Sequence, residues 1–154
     1  MSSRRDLLKG AALTPLALLV QAPVARATDY ASAADALDAV DRLEADVAAR
    51  LRGISQAVPG ALRFARSVLA DHERHRARRA WVRRRLKLAL SAPAADTVSQ
   101  EVGLDGLRSA QQDLVYAYAE GLPALQDALA VDAMARNLVD LSRHLTVIDL
   151  WISS

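Results

Sequence analysis

Apolar residues recur along most of the chain after residue 28 at alternating spacings of three and four. In the first such segment they are Leu37, Val40, Val47, Leu51, Ile54 and Val58. This spacing places them on one face of an α-helix, whereas the apolar residues of a half-buried strand alternate every second position. The pattern predicts a first helix over residues 29–57, which the turn sequence of residues 58–60 ends.

Three further helices are predicted in the same way. The second covers residues 61–90, on a stripe of Ala61, Ala65, Val68, Val82, Leu86 and Ala89. The third ends at Glu120 and Gly121, where we expect the glycine to cap the helix. Pro123 suits the first turn of the fourth, whose stripe is Met134, Leu138, Leu141, Leu145, Ile148 and Ile152. Four helices joined by short turns predict an all-α fold, an antiparallel four-helix bundle.

The start of the third helix decides the topology. If that helix begins near Thr97, the connector from the second helix has about seven residues, and the bundle runs up-down-up-down. If it begins near Gly103 or Leu104, about fifteen residues are free, and at roughly 3.4 Å each they cross the length of the bundle. The glycines at 103 and 106 obscure the helix start, so the sequence leaves both topologies open.

The first 27 residues have the order of an export signal. Arg4 and Arg5 precede two leucines and Lys9, a short apolar stretch follows, and residues 25–27 form a small-x-small cleavage site. Residues 3–9 resemble the twin-arginine (Tat) pattern, which implies export of a folded protein to a periplasmic or other extracytoplasmic location. The alternatives are an ordinary Sec signal and an uncleaved anchor. We therefore expect a signal peptide over residues 1–27 and a bundle domain over residues 28–154, with no membrane span in the mature chain.

Composition excludes several classes of protein. The chain has no cysteine, so disulfide scaffolds, thiolate zinc sites, iron–sulfur clusters and covalently bound haem are ruled out. Without the signal, 16 basic and 17 acidic residues remain, which argues against nucleic-acid binding. Ten of these basic residues lie between 63 and 87. Such a segment is usually a solvated helix face, but an anionic partner at helix 61–90 stays open, as does a homo-oligomer.

Polar residues occupy positions where the apolar stripes predict core. Glu44 falls between Val40 and Val47, and no basic residue follows it four positions later. The other such residues are His72, His75 and Arg79 in the second helix, Gln111 in the third and His144 in the fourth. A buried carboxylate or imidazole is costly unless it is paired or bound to a metal. We therefore expect these side chains to be partners of one another, near the middle of the bundle.

A weak internal repeat relates the two halves. Asp71 and His75 belong to an Asp-x-x-Arg-His segment, and Asp140 and His144 belong to a second one 69 residues later. The same offset carries Glu44 to Asp113, another carboxylate. Each half thus offers a carboxylate on one helix and an acid with a histidine on the next.

At this point the chain resembles the ferritin-like family of four-helix carboxylate proteins. That family places a Glu on each of two helices and Glu-x-x-His on each of the other two, around two metal ions. The resemblance matches Glu44 and Asp113 to the lone carboxylates, and His75 and His144 to the histidines. It departs from the family three residues before each histidine, where His72 and Leu141 replace Glu.

The resemblance implies a metal site formed by Glu44, Asp71, His72, His75, Asp113, Asp140 and His144, with iron or manganese favoured. Two alternatives remain. Asp71 orients His75 and Asp140 orients His144 instead of binding metal, or His72 and His75 hold zinc or copper together with Glu44. In a third interpretation the bundle has lost its metal and acts as an interaction or scaffold protein through its basic second helix.

Overall fold

The computed structural model describes residues 30–58, 60–90 and 103–153. They form four helices: α1 (Ala33–Ala57), α2 (Ala61–Arg85), α3 (Leu104–Gly121) and α4 (Ala128–Ile152). A 3₁₀ turn, Leu122–Leu125, lies between α3 and α4, and no strand occurs in the ranges described. The prediction of an all-α four-helix bundle is confirmed. The predicted signal peptide, residues 1–27, lies outside the described residues.

The apolar stripes form most of the core as predicted. The second helix, however, ends at Arg85 and not at residue 90, and Ala89 and Ile152 of the predicted stripes are exposed. Leu37, Val40, Val47, Leu51 and Ile54 of α1 are at most 1% exposed. They pack with Leu107, Leu114 and Tyr118 of α3 and with Met134, Leu141 and Ile148 of α4. Burial of one continuous face on each helix supplies the main stabilising free energy of such a bundle.

Two local predictions at the α3–α4 turn are wrong. Gly121 is the last residue of α3 in ordinary right-handed conformation, so it is no left-handed cap; the left-handed residue is Gln126 (φ 50°). Pro123 belongs to the 3₁₀ turn, and α4 starts five residues later, where the Asp127 side chain accepts a hydrogen bond from the Ala130 N–H. The N-cap Asp127, and not Pro123, therefore marks the start of α4.

Each helix packs against two neighbours, and the packing defines the topology. In the described residues α1 contacts α2 and α3, and α4 contacts α2 and α3, without close approach across either diagonal. Neighbours are antiparallel: Arg85 near the end of α2 pairs with Asp127 at the start of α4. Likewise Arg108 in the first turn of α3 pairs with Asp149 near the end of α4.

The end of α2 and the start of α3 therefore lie at opposite ends of the bundle. The 18 residues from 86 to 103 span up to roughly 60 Å, whereas a helix of 25 residues is roughly 37 Å long. The start of α3 at Leu104 selects the second of the two topologies left open by the sequence, in which the connection joins opposite ends of the bundle.

None of the described helices is both long enough and apolar enough to cross a membrane.

Candidate metal centre in the bundle interior

A polar cluster interrupts the core at mid-height. Glu44, His72, His75, Arg79 and His144 are all at most 8% exposed, and His75 is fully buried. They come from three helices: α1 supplies the carboxylate, α2 supplies two histidines and the arginine, and α4 supplies the third histidine. The interior placement predicted from the stripes is confirmed for all five.

Glu44 is held by an ion pair as well as by histidines. Its Oε2 contacts the Arg79 guanidinium, whose Nε also donates to Asp41 Oδ1 at 2.6 Å. Arg83 extends this network one turn further, with Nη2 2.6 Å from Asp38 Oδ1 and 2.8 Å from Asp41 Oδ2. Two buried arginines of α2 are thus neutralised by three carboxylates of α1.

The other oxygen of Glu44 faces the histidines. Glu44 Oε1 lies 3.1 Å from His75 Nδ1 and 3.3 Å from His72 Nδ1. Burial alone raises the pKa of this carboxyl, but the hydrogen bond with His75 and the charge of Arg79 outweigh burial and lower the pKa. Glu44 is therefore an anion at neutral pH and can serve as a ligand.

The three imidazole rings lie together. Ring centroids are separated by 5.6 Å between His72 and His75, by 6.2 Å between His72 and His144, and by 6.4 Å between His75 and His144. The rings of His72 and His144 are stacked, with an interplanar angle of 14°. Helices α2 and α4 thus bring all the histidines of the chain to one point.

The two aspartates of the internal repeat bind the histidines in a crossed arrangement. Asp71 of α2 accepts from His144 Nε2 at 2.9 Å, and Asp140 of α4 lies 3.4 Å from His75 Nε2. The sequence suggested that each aspartate orients the histidine of its own helix; in the structure each contacts the histidine of the other helix. Both aspartates are more exposed than the rings that they contact, with 16% of the Asp71 side chain and 27% of the Asp140 side chain accessible to solvent.

Three ring nitrogens in this interior have no hydrogen-bond partner. They are Nδ1 and Nε2 of His72 and Nδ1 of His144. The 3.3 Å approach of His72 Nδ1 to Glu44 has the distance of an ion pair but not the alignment of a hydrogen bond. Burying a polar atom without a partner costs about 1–3 kcal/mol, so these atoms require an explanation.

Burial also keeps two of the rings neutral. It lowers the pKa of His72 to about 4, with the neighbouring histidines and Arg79 acting in the same direction and Glu44 in the opposite one. Burial and the nearby His75 lower the pKa of His144 to about 4. A neutral imidazole has one unprotonated nitrogen. Because Asp71 accepts the hydrogen of His144 Nε2, the lone pair of His144 lies on the unpartnered Nδ1.

Asp113 does not belong to the cluster. It is exposed on the outside of α3, and the residue of α3 that points inward is Gln111, which is fully buried. Buried positions of α2 and α4 do correspond at an offset of 69, as His75 and His144 show. The offset of 69 does not relate α1 to α3, because the two halves have different spacings between their facing residues. His75 follows Glu44 by 31 residues, whereas His144 follows Gln111 by 33. The longer α3–α4 turn moves the equivalent of Glu44 to position 111.

Several interior contacts were not predicted from the sequence. Asn137, buried on α4, donates to the Tyr118 hydroxyl at 3.2 Å, and Arg79 Nη1 donates to the same oxygen at 2.8 Å. Burial raises the pKa of the Tyr118 hydroxyl. The burial of Asn137 could have been predicted, because this residue lies on the apolar stripe of α4, three residues after Met134 and four before Leu141.

The side chains as they stand form no ready metal site. No group of three or more acidic and histidine residues in the described chain has metal-binding geometry. Three imidazoles bound to one tetrahedral ion at about 2.0 Å bring their ring centroids to about 5 Å from each other. The three rings observed here would have to move together by roughly an ångström. The donor types fit a metal ion, and the spacing fits after a small contraction.

Comparison with known proteins adds no assignment: no protein-family model, no curated protein and no solved structure matches this chain.

Proposed function

We propose that this chain is an exported, ferritin-like helical bundle that binds one metal ion between its helices. The observation that carries the proposal is the pair of unpartnered nitrogens on buried His72, whose ring lies against two other imidazoles and the carboxylate of Glu44. A metal ion bound to Nδ1 of His72 and Nδ1 of His144 would satisfy two of the three ring nitrogens that the protein leaves without a partner.

Four atoms of the cluster are candidate ligands for a metal ion. They are Nδ1 of His72, Nδ1 of His75, Nδ1 of His144 and Oε1 of Glu44. Asp71 and Asp140 contact the Nε2 atoms of His144 and His75, so the Nδ1 atom of each ring is not engaged by these aspartates. Carboxylates at the far nitrogen of a histidine ligand fix its tautomer and orientation.

One ion suits these residues better than the ion pair of the ferritin-like family. At the family's four carboxylate positions this bundle has Glu44, His72, Gln111 and Leu141, so a single carboxylate remains. Arg79 neutralises that carboxylate. Two divalent cations would bring four positive charges to a site with almost no compensating negative charge.

The types of donor atom narrow the choice of metal ion. Three imidazoles and one carboxylate suit iron, zinc or copper, and imidazole-rich sites are less typical of manganese. Iron is the metal common to this donor set and to the family resemblance, so we propose iron(II). Iron bound there supplies one-electron chemistry.

Metal content tests this proposal. The protein is loaded anaerobically with iron(II), desalted and analysed by mass spectrometry beside two variants, His72→Leu and Asp113→Asn. We expect about one ion per chain in the unaltered protein and in Asp113→Asn, and loss of the ion in His72→Leu. Leucine is a suited replacement because Leu141 occupies the corresponding position of α4. Equal metal content in all three proteins, or none in the unaltered protein, contradicts the proposal.

A metal-free bundle is the second candidate. It is favoured by the ion pair between Glu44 and Arg79, which satisfies the carboxylate without a metal. In that case the polar interior is structural, and the protein acts through its surface, with the basic second helix as the contact region. Absence of bound iron, zinc and copper in the experiment above supports this candidate.

The export proposal rests on the twin arginines and the cleavage-site pattern of residues 1–27. Substitution of Arg4 and Arg5 by lysine keeps the charge and removes the motif. We expect the variant to accumulate uncleaved inside the cell, whereas Lys9→Arg is exported and cleaved like the unaltered chain. Equal export of both variants contradicts a twin-arginine route.

A further inference from the structure

The exposed large hydrophobic side chains are confined to one side of the bundle. In the described residues all of them lie on α2, on α4 or just after α2, and none lies on α1 or α3. Trp81 is 40% exposed on α2, and Leu129, Val139 and Leu150 are 51–65% exposed on α4. Because α2 and α4 are neighbours in the bundle, their outer surfaces form one continuous surface, here named the α2/α4 face.

Charge is separated in the same way. Residues 60–90 and 122–153, which contain α2 and α4, carry 12 basic and 6 acidic side chains, a formal charge of +6, and still carry +4 without the buried Arg79 and Arg83. Residues 30–58 and 103–121, which contain α1 and α3, carry 4 basic and 8 acidic side chains, a formal charge of −4. The side of the molecule that is apolar is therefore also the positive side.

The arginines of α2 divide into an inner and an outer set. Arg79 and Arg83 are buried and paired with the acids of α1. Arg63 and Arg84 are exposed, and Arg74 is 62% exposed. On α4, Arg136 and Arg143 are 68% and 75% exposed. The outer set alternates along the two helices with Trp81 and the exposed aliphatic residues.

We infer that the α2/α4 face binds the surface of an anionic lipid bilayer. Two antiparallel helices that present arginines, a half-exposed tryptophan and single aliphatic side chains match the interfacial region of a membrane. There, cations contact phosphate headgroups, and apolar tips enter the acyl boundary. The inference holds whether or not the interior binds a metal.

A second copy of the chain is a poorer occupant of this face. A two-fold dimer through the α2/α4 face would place the same positive surface against itself. Like charges brought together in this way oppose association. The surplus of positive charge favours a negatively charged partner, and a bilayer also accommodates the apolar side chains spread along both helices.

Vesicle flotation tests the inference with charge-matched variants of the full chain. The first variant, Arg63→Gln with Arg136→Gln, removes two exposed charges from the α2/α4 face. The control, Arg42→Gln with Arg52→Gln, removes two exposed charges from α1. Both carry identical residues 1–29, so binding through that segment is common to them. The vesicles are phosphatidylcholine alone, or phosphatidylcholine with about one third phosphatidylglycerol.

We expect binding to the anionic vesicles that weakens about 30-fold in the first variant and less than about threefold in the control, since each arginine near a membrane contributes about 1 kcal/mol. Trp81→Ala should also weaken binding, and salt at about 0.5 M should reduce it in every protein. Equal binding by the two double variants, or equal binding to neutral vesicles, overturns the inference. Self-association in sedimentation velocity that the first variant abolishes also overturns it, in favour of a dimer.

Discussion

At the scale of single residues, His72 is the least satisfied side chain of the interior. Both of its ring nitrogens are buried without a hydrogen bond, and burial lowers its pKa to about 4. Its counterpart in the second half of the bundle is Leu141, which is fully buried and apolar. Both positions are buried, but one is polar and the other is apolar. The substitution His72→Leu therefore places at position 72 the residue that the chain itself has at the equivalent position of α4.

We expect His72→Leu to stabilise the metal-free protein by about 1–2 kcal/mol, because the substitution removes buried polar atoms that have no partner. Urea unfolding in the presence of a chelator measures this free energy. His75→Leu serves as the comparison, and it should destabilise the protein, because both nitrogens of His75 contact carboxylates. A loss of stability in His72→Leu as large as that in His75→Leu would show that His72 has a structural partner.

Arg79 is the opposite case, a buried charge with every partner in place. Its guanidinium contacts Glu44, Asp41 and the Tyr118 hydroxyl. We expect Arg79→Met to destabilise the protein by about 3–5 kcal/mol, because Glu44 is then buried without its cation. Adding Glu44→Gln to this variant should recover part of the loss. Thermal and urea unfolding of the two variants check the prediction, and a double variant no more stable than Arg79→Met would contradict it.

Some of these residue roles could be predicted from the sequence. A polar residue on an apolar stripe is a reliable sign of burial, and Glu44, His72, His75 and Arg79 were found in this way. The crossed contacts of Asp71 and Asp140 could not be predicted, because they depend on the register of α2 against α4. Asp113 was placed wrongly because the facing residues are 31 apart in the first half and 33 apart in the second, a difference that a repeat of fixed offset does not show.

At the scale of the helices, the end of α3 lies close against the start of α1 at Gly121. A Cβ added at Gly121 would lie 3.2 Å from the Cβ of Ala36. The prediction that α3 ends at Gly121 is confirmed, but the predicted capping role of this glycine is wrong. Its role is to let the end of α3 lie against the start of α1, and a contact between two helices leaves no mark in the sequence of either one.

Gly121→Ala should therefore destabilise the bundle, by about 1 kcal/mol, although alanine favours a helix more than glycine does. The free energy of unfolding of Gly121→Ala, Ala36→Gly and the double variant forms a cycle. We expect the double variant to be more stable than the sum of the two single effects allows, because Ala36→Gly removes the crowded atom. Strict additivity would mean that the two positions do not touch.

At the scale of the whole molecule, the bundle stability should depend on pH through its neutral histidines. The pKa of His72 and of His144 is about 4 in the folded protein and near 6.5 in an unfolded chain. Between these values the unfolded chain binds more protons, so stability falls as pH decreases from about 6.5 to about 4. The protonated Glu44 would lower it further at still lower pH, because its pKa is lowered in the folded state.

We expect the metal-free protein to lose on the order of 3 kcal/mol across this window for His72 alone. Urea unfolding at a series of pH values, in a chelating buffer, measures the loss. His72→Leu should show a markedly shallower dependence than the unaltered protein. The same slope in both proteins would show that His72 is not the group that titrates.

The sequence shows only in part that positive charge and exposed apolar side chains share one side of the molecule. The basic segment of residues 63–87 was evident, but its division into an inner and an outer set required the positions of the acids on α1. The sequence of α4 alone did not distinguish its exposed apolar residues from those of its buried stripe. Only the pairing of α2 with α4 brings the positive charge and the exposed apolar side chains onto one face.

The most direct test of the account is X-ray absorption spectroscopy of the protein loaded with iron(II). The account predicts one iron per chain, bound by nitrogen and oxygen atoms at about 2.0–2.2 Å, with outer-shell scattering from about three imidazoles. His72→Leu should remove the bound iron. A second iron within about 3.5–4 Å, or a bound iron without imidazole scattering, would contradict a single ion held by the three histidines and Glu44.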